Sequence, residues 1–215
     1  MKKIFLIALT VLAGIGLNAQ SEKYANAMKP LVASLDSAWQ YDALIRAANS
    51  FQRIADAEKT QWLPYYYAAY CNIAAAYTLA TEASPAAKTD PLADKAEVLL
   101  NQAEALSKDN SEIYCVRKQI ASLRLIGDPM NRYMTYGPLA TEALAKAKQL
   151  NPDNPRVYLL EAQDKFYTPE QYGGSKTEAK TLIELSKQKY ETVKPESDLH
   201  PRWGYNQIAY FLSQY

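Results

Sequence analysis

The side chains that most often carry chemistry are few in this chain and lie far apart in the sequence. It has one histidine, His200, and two cysteines, Cys71 and Cys115. A nucleophile with its base, a catalytic carboxylate pair or a metal site needs several such groups at a defined spacing, and the sequence has no such spacing. We therefore predict that the protein is not an enzyme and that it uses neither a metal ion nor a cofactor.

One short motif has the composition of an anion site. Gly173, Gly174, Ser175 and Lys176 precede a predicted helix, whose first N–H groups and dipole favour a negative charge. The motif lacks the full spacing of a phosphate-binding loop and the strand that precedes such a loop. We therefore predict that Ser175 caps the helix.

The first nineteen residues have the pattern of an export signal. Lys2 and Lys3 precede an apolar run from Ile4 to Leu17, and the small residue Ala19 ends the segment. The run is short for a membrane span, which needs about 20 apolar residues, and no cysteine lies near for a lipid anchor. We expect residues 1–19 to be a signal peptide cleaved after Ala19, and the mature chain to be periplasmic or secreted without a stable membrane anchor.

The charge balance argues against one class of partner. The chain has 24 basic and 23 acidic residues and a formal net charge of +1. A nearly neutral chain without a basic run lacks the electrostatic field that attracts nucleic acid. We expect no nucleic-acid partner.

Helical patterns extend along the rest of the chain. Sustained alternation of polar and apolar residues, which marks strands, is absent, and the abundant Ala, Leu, Lys, Glu and Gln favour helices. The chain is predicted to be all-α, with helices at Ser21–Leu35, Gln40–Glu58, Trp62–Ala80, Asp90–Ser107, Ser111–Ile126, Tyr136–Leu150, Pro155–Tyr167, Ser175–Val193 and Arg202–Gln214.

Two segments share one pattern in register. From Ala96 to Tyr114 the sequence is AEVLLNQAEALSKDNSEIY, and from Ala140 to Tyr158 it is ATEALAKAKQLNPDNPRVY. This pattern resembles the tetratricopeptide repeat (TPR), where the second helix of one unit leads into the first helix of the next. In this register Ala96 and Ala140 are predicted to be small residues at positions where helices cross. The resemblance implies that residues 20–215 form a TPR-like helical repeat domain, a right-handed α-solenoid of about four helix pairs plus a C-terminal capping helix.

The repeat register predicts whether the two cysteines can form a disulfide. An even number of cysteines in an exported chain suggests a disulfide. The repeat register places Cys71 and Cys115 on different faces of neighbouring helices, beyond the reach of a disulfide. We predict two free thiols.

The turns inside the repeats are longer than the TPR pattern requires. The additional residues fall at Thr81–Thr89, Gly127–Thr135 and Thr168–Gly174, always between the first and second helix of a repeat. These turns lie on the same rim of such an array. We therefore predict a ledge of loops along one edge.

Further stretches resemble a group of small exported TPR proteins from Bacteroidetes-type bacteria. They are WLPYYYAAY from Trp62, NPRVYLL from Asn154, TPEQYGG from Thr168 and HPRWG from His200. The resemblance implies an exported, non-catalytic scaffold that binds a protein or peptide partner through its concave face or its loop ledge. The YGG loop is also similar to the periplasmic TPR component of TRAP transporters, which implies, as an alternative, an accessory component of a solute-uptake system.

Transferring the groove positions of the TPR family to this register predicts an aromatic and amide surface, which suits an extended peptide or a partner helix. An alternative is that the C-terminal helix or an N-terminal segment of the chain itself fills this groove. The predicted partner-binding residues are Leu63, Tyr66, Tyr70, Gln119, Arg156, Gln163, Phe166 and Tyr167.

Overall fold

The computed structural model describes residues 22–81 and 85–215, so the expected signal peptide at 1–19 lies outside the described residues. All regular structure in these two ranges is helical, which confirms the all-α prediction. None of the described helices is long and apolar enough to span a membrane. The helices are α1 (22–34), α2 (Tyr41–Glu58), α3 (Trp62–Leu79), α4 (Ala86–Leu106), α5 (Ser111–Gly127), α6 (Pro129–Leu150), α7 (Pro155–Tyr167), α8 (Lys176–Thr192) and α9 (Tyr205–Leu212).

Side chains cap the starts of four of these helices. Asn110 accepts a hydrogen bond from the backbone N–H of the second residue of α5, and Asn154 does the same for α7. Asp128 caps α6, and Ser175 caps α8 by accepting from the third residue of the helix. Each cap satisfies a backbone N–H that has no partner within the helix. The prediction for Ser175 is confirmed.

Helices that are adjacent in sequence pack against each other, from α2 through α9. In addition, α5 contacts both α3 and α7, so these three helices form one face. The alanines at the predicted crossing positions, Ala96 and Ala140, are buried. This packing holds the α3, α5 and α7 face in place, while the assignment of the array as a TPR solenoid stays a prediction.

The predicted loop ledge is wrong at its central part. Residues 129–135, expected in a loop, are the first two turns of α6, because Asp128 caps the helix and Pro129 fits its first turn. Helix α4 likewise begins at Ala86, earlier than predicted. The Thr168–Gly174 segment does remain outside the long helices, with a 3-10 turn at Glu170–Tyr172.

Both cysteines are buried and free, as predicted. Burial raises the pKa of the Cys71 thiol and of the Cys115 thiol, because a thiolate would lose its hydration there. A thiol kept protonated is a poor nucleophile and a poor metal ligand. The two cysteines are therefore core residues.

Candidate functional site

A cavity of about 3030 Å³, called here the central cavity, runs along the face formed by α3, α5 and α7. Helix α5 contributes Lys118, Ser122 and Ile126 to its lining, and this spacing of four residues places them on one side of the helix. One side of α6 and the residues after α8 complete the walls. The cavity has two ends of different character.

The first end is closed by the chain itself. Residues 195–207, called here the C-terminal segment, contact α3, α5 and α7 mainly in the amino-terminal halves of these helices. Trp203 donates its indole N–H to the Tyr66 hydroxyl at 2.7 Å and stacks on Tyr70 with ring centroids 4.9 Å apart. Tyr67 donates to the carbonyl of Leu199 at 2.8 Å. These contacts make the C-terminal segment part of the buried structure.

A buried ion pair lies under this segment. Arg156 Nη1 donates to Glu112 Oε1 at 3.0 Å, and its Nη2 donates to the carbonyl of Pro201. The Tyr66 hydroxyl donates to the other Glu112 oxygen at 3.3 Å. Burial raises the pKa of Glu112, and the charge of Arg156 and the Tyr66 hydroxyl oppose that shift. Arg156 thus ties α5, α7 and the C-terminal segment together.

The second end of the cavity is open, and its floor is polar. Lys118 on α5 donates to Asp164 Oδ1 on α7 at 2.6 Å. The Tyr77 hydroxyl on α3 donates to the carbonyl of Gln119 at 3.1 Å. Lys118 and Gln119 are buried, although both line the cavity. Polar groups from three helices therefore meet at the bottom of this end.

The rim of the open end is apolar and exposed. Met130, Tyr133 and Met134 lie on one side of α6, because residues three and four apart in a helix share a face. Met130 is 93% exposed and Met134 81% exposed. Tyr167 at the end of α7 and Tyr172 in the following turn are also exposed and line the cavity. Exposed apolar side chains grouped around a concave site typically mark a binding surface.

The structure places most of the predicted partner-binding residues against the chain's own C-terminal part. Tyr66, Tyr70 and Arg156 contact the C-terminal segment, as described above. Gln163 donates to Gln207 at 2.8 Å, and the Phe166 ring packs edge-on against Phe211 at 5.3 Å. This arrangement corresponds to the alternative in which the chain fills its own groove. The partner-binding role of the set stays a prediction.

The other three predicted residues are in different surroundings. Leu63 is buried in the core, and Gln119 lies in the floor of the open end. Tyr167 is exposed at the rim of that end, although its ring also packs edge-on against Phe211 with centroids 6.0 Å apart. Gln119 and Tyr167 can therefore face a ligand without any movement of the C-terminal segment.

Sequence reasoning missed several residues of the open end. Met130 and Met134 were not predicted as site residues, because their segment was interpreted as a loop and its helical periodicity was not considered. Lys118 and Asp164 are 46 residues apart, and nothing local indicates that they pair. The spacing of Lys118, Ser122 and Ile126 along α5 was the available signal.

The described residues offer binding groups more than catalytic ones. Across residues 22–81 and 85–215, no group of three or more His, Cys, Asp or Glu side chains could hold a metal ion. His200 lies in the C-terminal segment, where its ring nitrogens contact Ser197 at 2.8 Å and Glu196 at 3.1 Å. The arrangement at the open end, a polar floor below an apolar rim, suits the binding of an amphipathic molecule.

No protein-family model and no curated protein sequence matches the chain. A solved structure described as the HusA haemophore from Porphyromonas gingivalis does match, with 38% sequence identity and a TM-score of 0.78. The match covers 89% of this chain and 92% of that one. Because the identity extends over nearly the whole of both chains, this protein belongs to the family of the HusA haemophore.

Proposed function

We propose that this protein is an exported, non-catalytic haem-binding protein that holds haem at the open end of the central cavity. The observation that carries the proposal is the 38% identity to a haemophore over 89% of the chain. Such identity extends to side chains and not only to the path of the backbone. The proposal assigns this chain the ligand that the name of its relative implies.

The chemistry of the open end supports haem as the ligand. Haem is a flat apolar ring that carries two carboxylates, and aromatic and thioether side chains pack well on such a ring. Met130, Tyr133 and Met134 present these groups on α6, and Tyr167 and Tyr172 present them at the end of α7 and in the following turn. Methionine and tyrosine are also among the residue types that ligate haem iron.

The proposal is narrower than the functions that the sequence predicts. A peptide bound along the face of α3, α5 and α7 would compete with the C-terminal segment, which already contacts Tyr66 and Tyr70 there. A haem carrier also agrees with the alternative of a role in solute uptake. We infer, in addition, that the helix pairs form a TPR-like solenoid, and the contacts of α5 with α3 and α7 support this inference.

Titration of the purified protein with haemin tests the proposal. Saturable binding, seen as a change in the Soret band, is the expected result. Tyr133→Ala should weaken binding by about tenfold, which corresponds to about 1.4 kcal/mol, since truncation of a large side chain that a ligand covers typically costs more than about 1 kcal/mol. Tyr41→Ala is the matched control, because Tyr41 is an exposed helical tyrosine outside the cavity lining.

Two results would count against the proposal. If haemin does not saturate the unaltered protein, the ligand is wrong. If Tyr133→Ala and Tyr41→Ala bind haemin equally well, the ligand stands but the site lies elsewhere. Export has a separate test, in which the mass of the secreted protein should correspond to a chain that starts at Gln20.

A further inference from the structure

The ion pair in the floor of the open end has two unequal partners. The Lys118 side chain is 4% exposed, whereas the Asp164 side chain is 51% exposed. Moving an ammonium group out of water is costly unless it is paired, so Lys118 depends on a carboxylate at this place. Asp164 can return to water at little cost once another carboxylate has replaced it on Lys118, because its own side chain is already half exposed. The cation is therefore fixed, and its carboxylate partner is exchangeable.

The position of Lys118 in the cavity determines how an amphipathic ligand would be oriented. Lys118 and Ile126 lie on one side of α5 and are separated by about 12 Å at the rise of a helix. Over that distance the cavity lining changes from the polar floor to the apolar rim. An amphipathic ligand that places its ring against the rim therefore extends its polar groups towards Lys118.

Other cations that line the cavity are less suited to this role. Lys108 precedes α5 and Lys194 follows α8, so both lie at the opposite end of the helices. Arg202 lies in the C-terminal segment and pairs with Asp198. Arg156 is engaged by Glu112 and by the carbonyl of Pro201. Lys118 has three N–H groups and no acceptor, and it faces the floor of the open end.

Building on the proposed function, we infer that Lys118 receives a carboxylate of the bound haem, so that haem enters the cavity with its carboxylates towards the floor. In the free protein, the Asp164 carboxylate occupies the place that the ligand carboxylate takes. Binding is then an exchange of one carboxylate for another on the same buried ammonium group, and Asp164 moves into solvent.

The test compares haemin with its dimethyl ester, which lacks both negative charges, on the full chain and on two variants. Lys118→Met should weaken haemin binding by about tenfold, the effect of losing one hydrogen bond to a charged group. Asp164→Asn should strengthen haemin binding, because it removes the competing charge. Neither variant should change the affinity for the ester more than about twofold, a difference of roughly 0.4 kcal/mol.

The outcomes separate this inference from the proposed function. If Lys118→Met weakens the binding of haemin and of the ester equally, or weakens neither, Lys118 does not bind a carboxylate of haem and the inference fails. The same conclusion follows if Asp164→Asn weakens haemin binding. If neither haemin nor the ester binds the unaltered protein, the proposed function itself is wrong and the inference fails with it. Circular dichroism and thermal melting of both variants identify any loss of fold.

Discussion

The indole N–H of Trp203 donates to the hydroxyl of Tyr66 across 2.7 Å, although the two residues are 137 positions apart in the chain. Tyr66 in turn donates to Glu112, which pairs with Arg156. A continuous line of hydrogen bonds thus connects the C-terminal segment to α3, α5 and α7. The segment is held by directional contacts as well as by apolar packing, and this arrangement leads to the first two predictions.

Tyr66→Phe should destabilise the protein by about 1 to 3 kcal/mol, because it leaves the buried Trp203 N–H without its acceptor. Chemical denaturation followed by circular dichroism measures the change. Tyr172→Phe serves as the control, since Tyr172 is exposed. The free energy of unfolding of this variant should differ from that of the parent by less than about 0.5 kcal/mol. Equal stability of the two variants would show that the Trp203 contact contributes nothing.

Arg156→Met should cost about 3 kcal/mol at neutral pH, because it leaves Glu112 as an unpaired buried charge. Burial already raises the pKa of Glu112 above its ordinary value, and loss of Arg156 removes an interaction that lowers it. A group with a raised pKa in the folded state contributes stability below its unfolded pKa and loses that contribution as the pH rises through the folded value. The destabilisation should therefore shrink as the pH falls.

Denaturation of this variant across a pH series checks the sign. The double variant Glu112→Gln with Arg156→Met has no carboxylate at position 112, so its loss of stability relative to the parent should not shrink at low pH. A deficit in the single variant that stays constant or grows towards acid pH would contradict the assignment of the effect to Glu112.

Ala96→Trp should overpack the contact between α4 and its neighbours and cost about 1 to 3 kcal/mol or more. Ala96 is completely buried, whereas Val98, two residues later on the same helix, is exposed. Val98→Trp is therefore the matched control and should change stability by no more than about 0.5 kcal/mol. Thermal melts of the two variants should separate clearly, and identical melts would mean that the assigned register of α4 is wrong.

Cys71 and Cys115 should both resist thiol reagents in the folded protein. They are fully buried, and burial raises the pKa of each thiol, so neither access nor the reactive thiolate is available. Mass spectrometry after treatment with iodoacetamide should find both unmodified in buffer and both modified in denaturant. Rapid modification of either thiol in buffer would show that its surroundings open readily.

Much of the fold follows from signals that act over a few residues. Ser175 was identified as a cap because a hydroxyl just before a helix satisfies a free N–H, and the structure shows that hydrogen bond. Ala96 and Ala140 were assigned to helix crossings from their spacing, and both are buried. Where a local signal was overlooked, as with Asp128 and Pro129 at the start of α6, the prediction was wrong.

The sequence by itself determined the all-helical class, most helix positions and two free cysteines, because periodicity, capping and helical register are properties of neighbouring residues. Only the tertiary structure decided that the C-terminal segment covers Tyr66 and Tyr70 and that Lys118 meets Asp164 in the floor of the open end. Each of these contacts joins residues far apart in the chain. The free energy of these contacts comes from burial and pairing after the helices have packed, so no local pattern in the sequence predicts them.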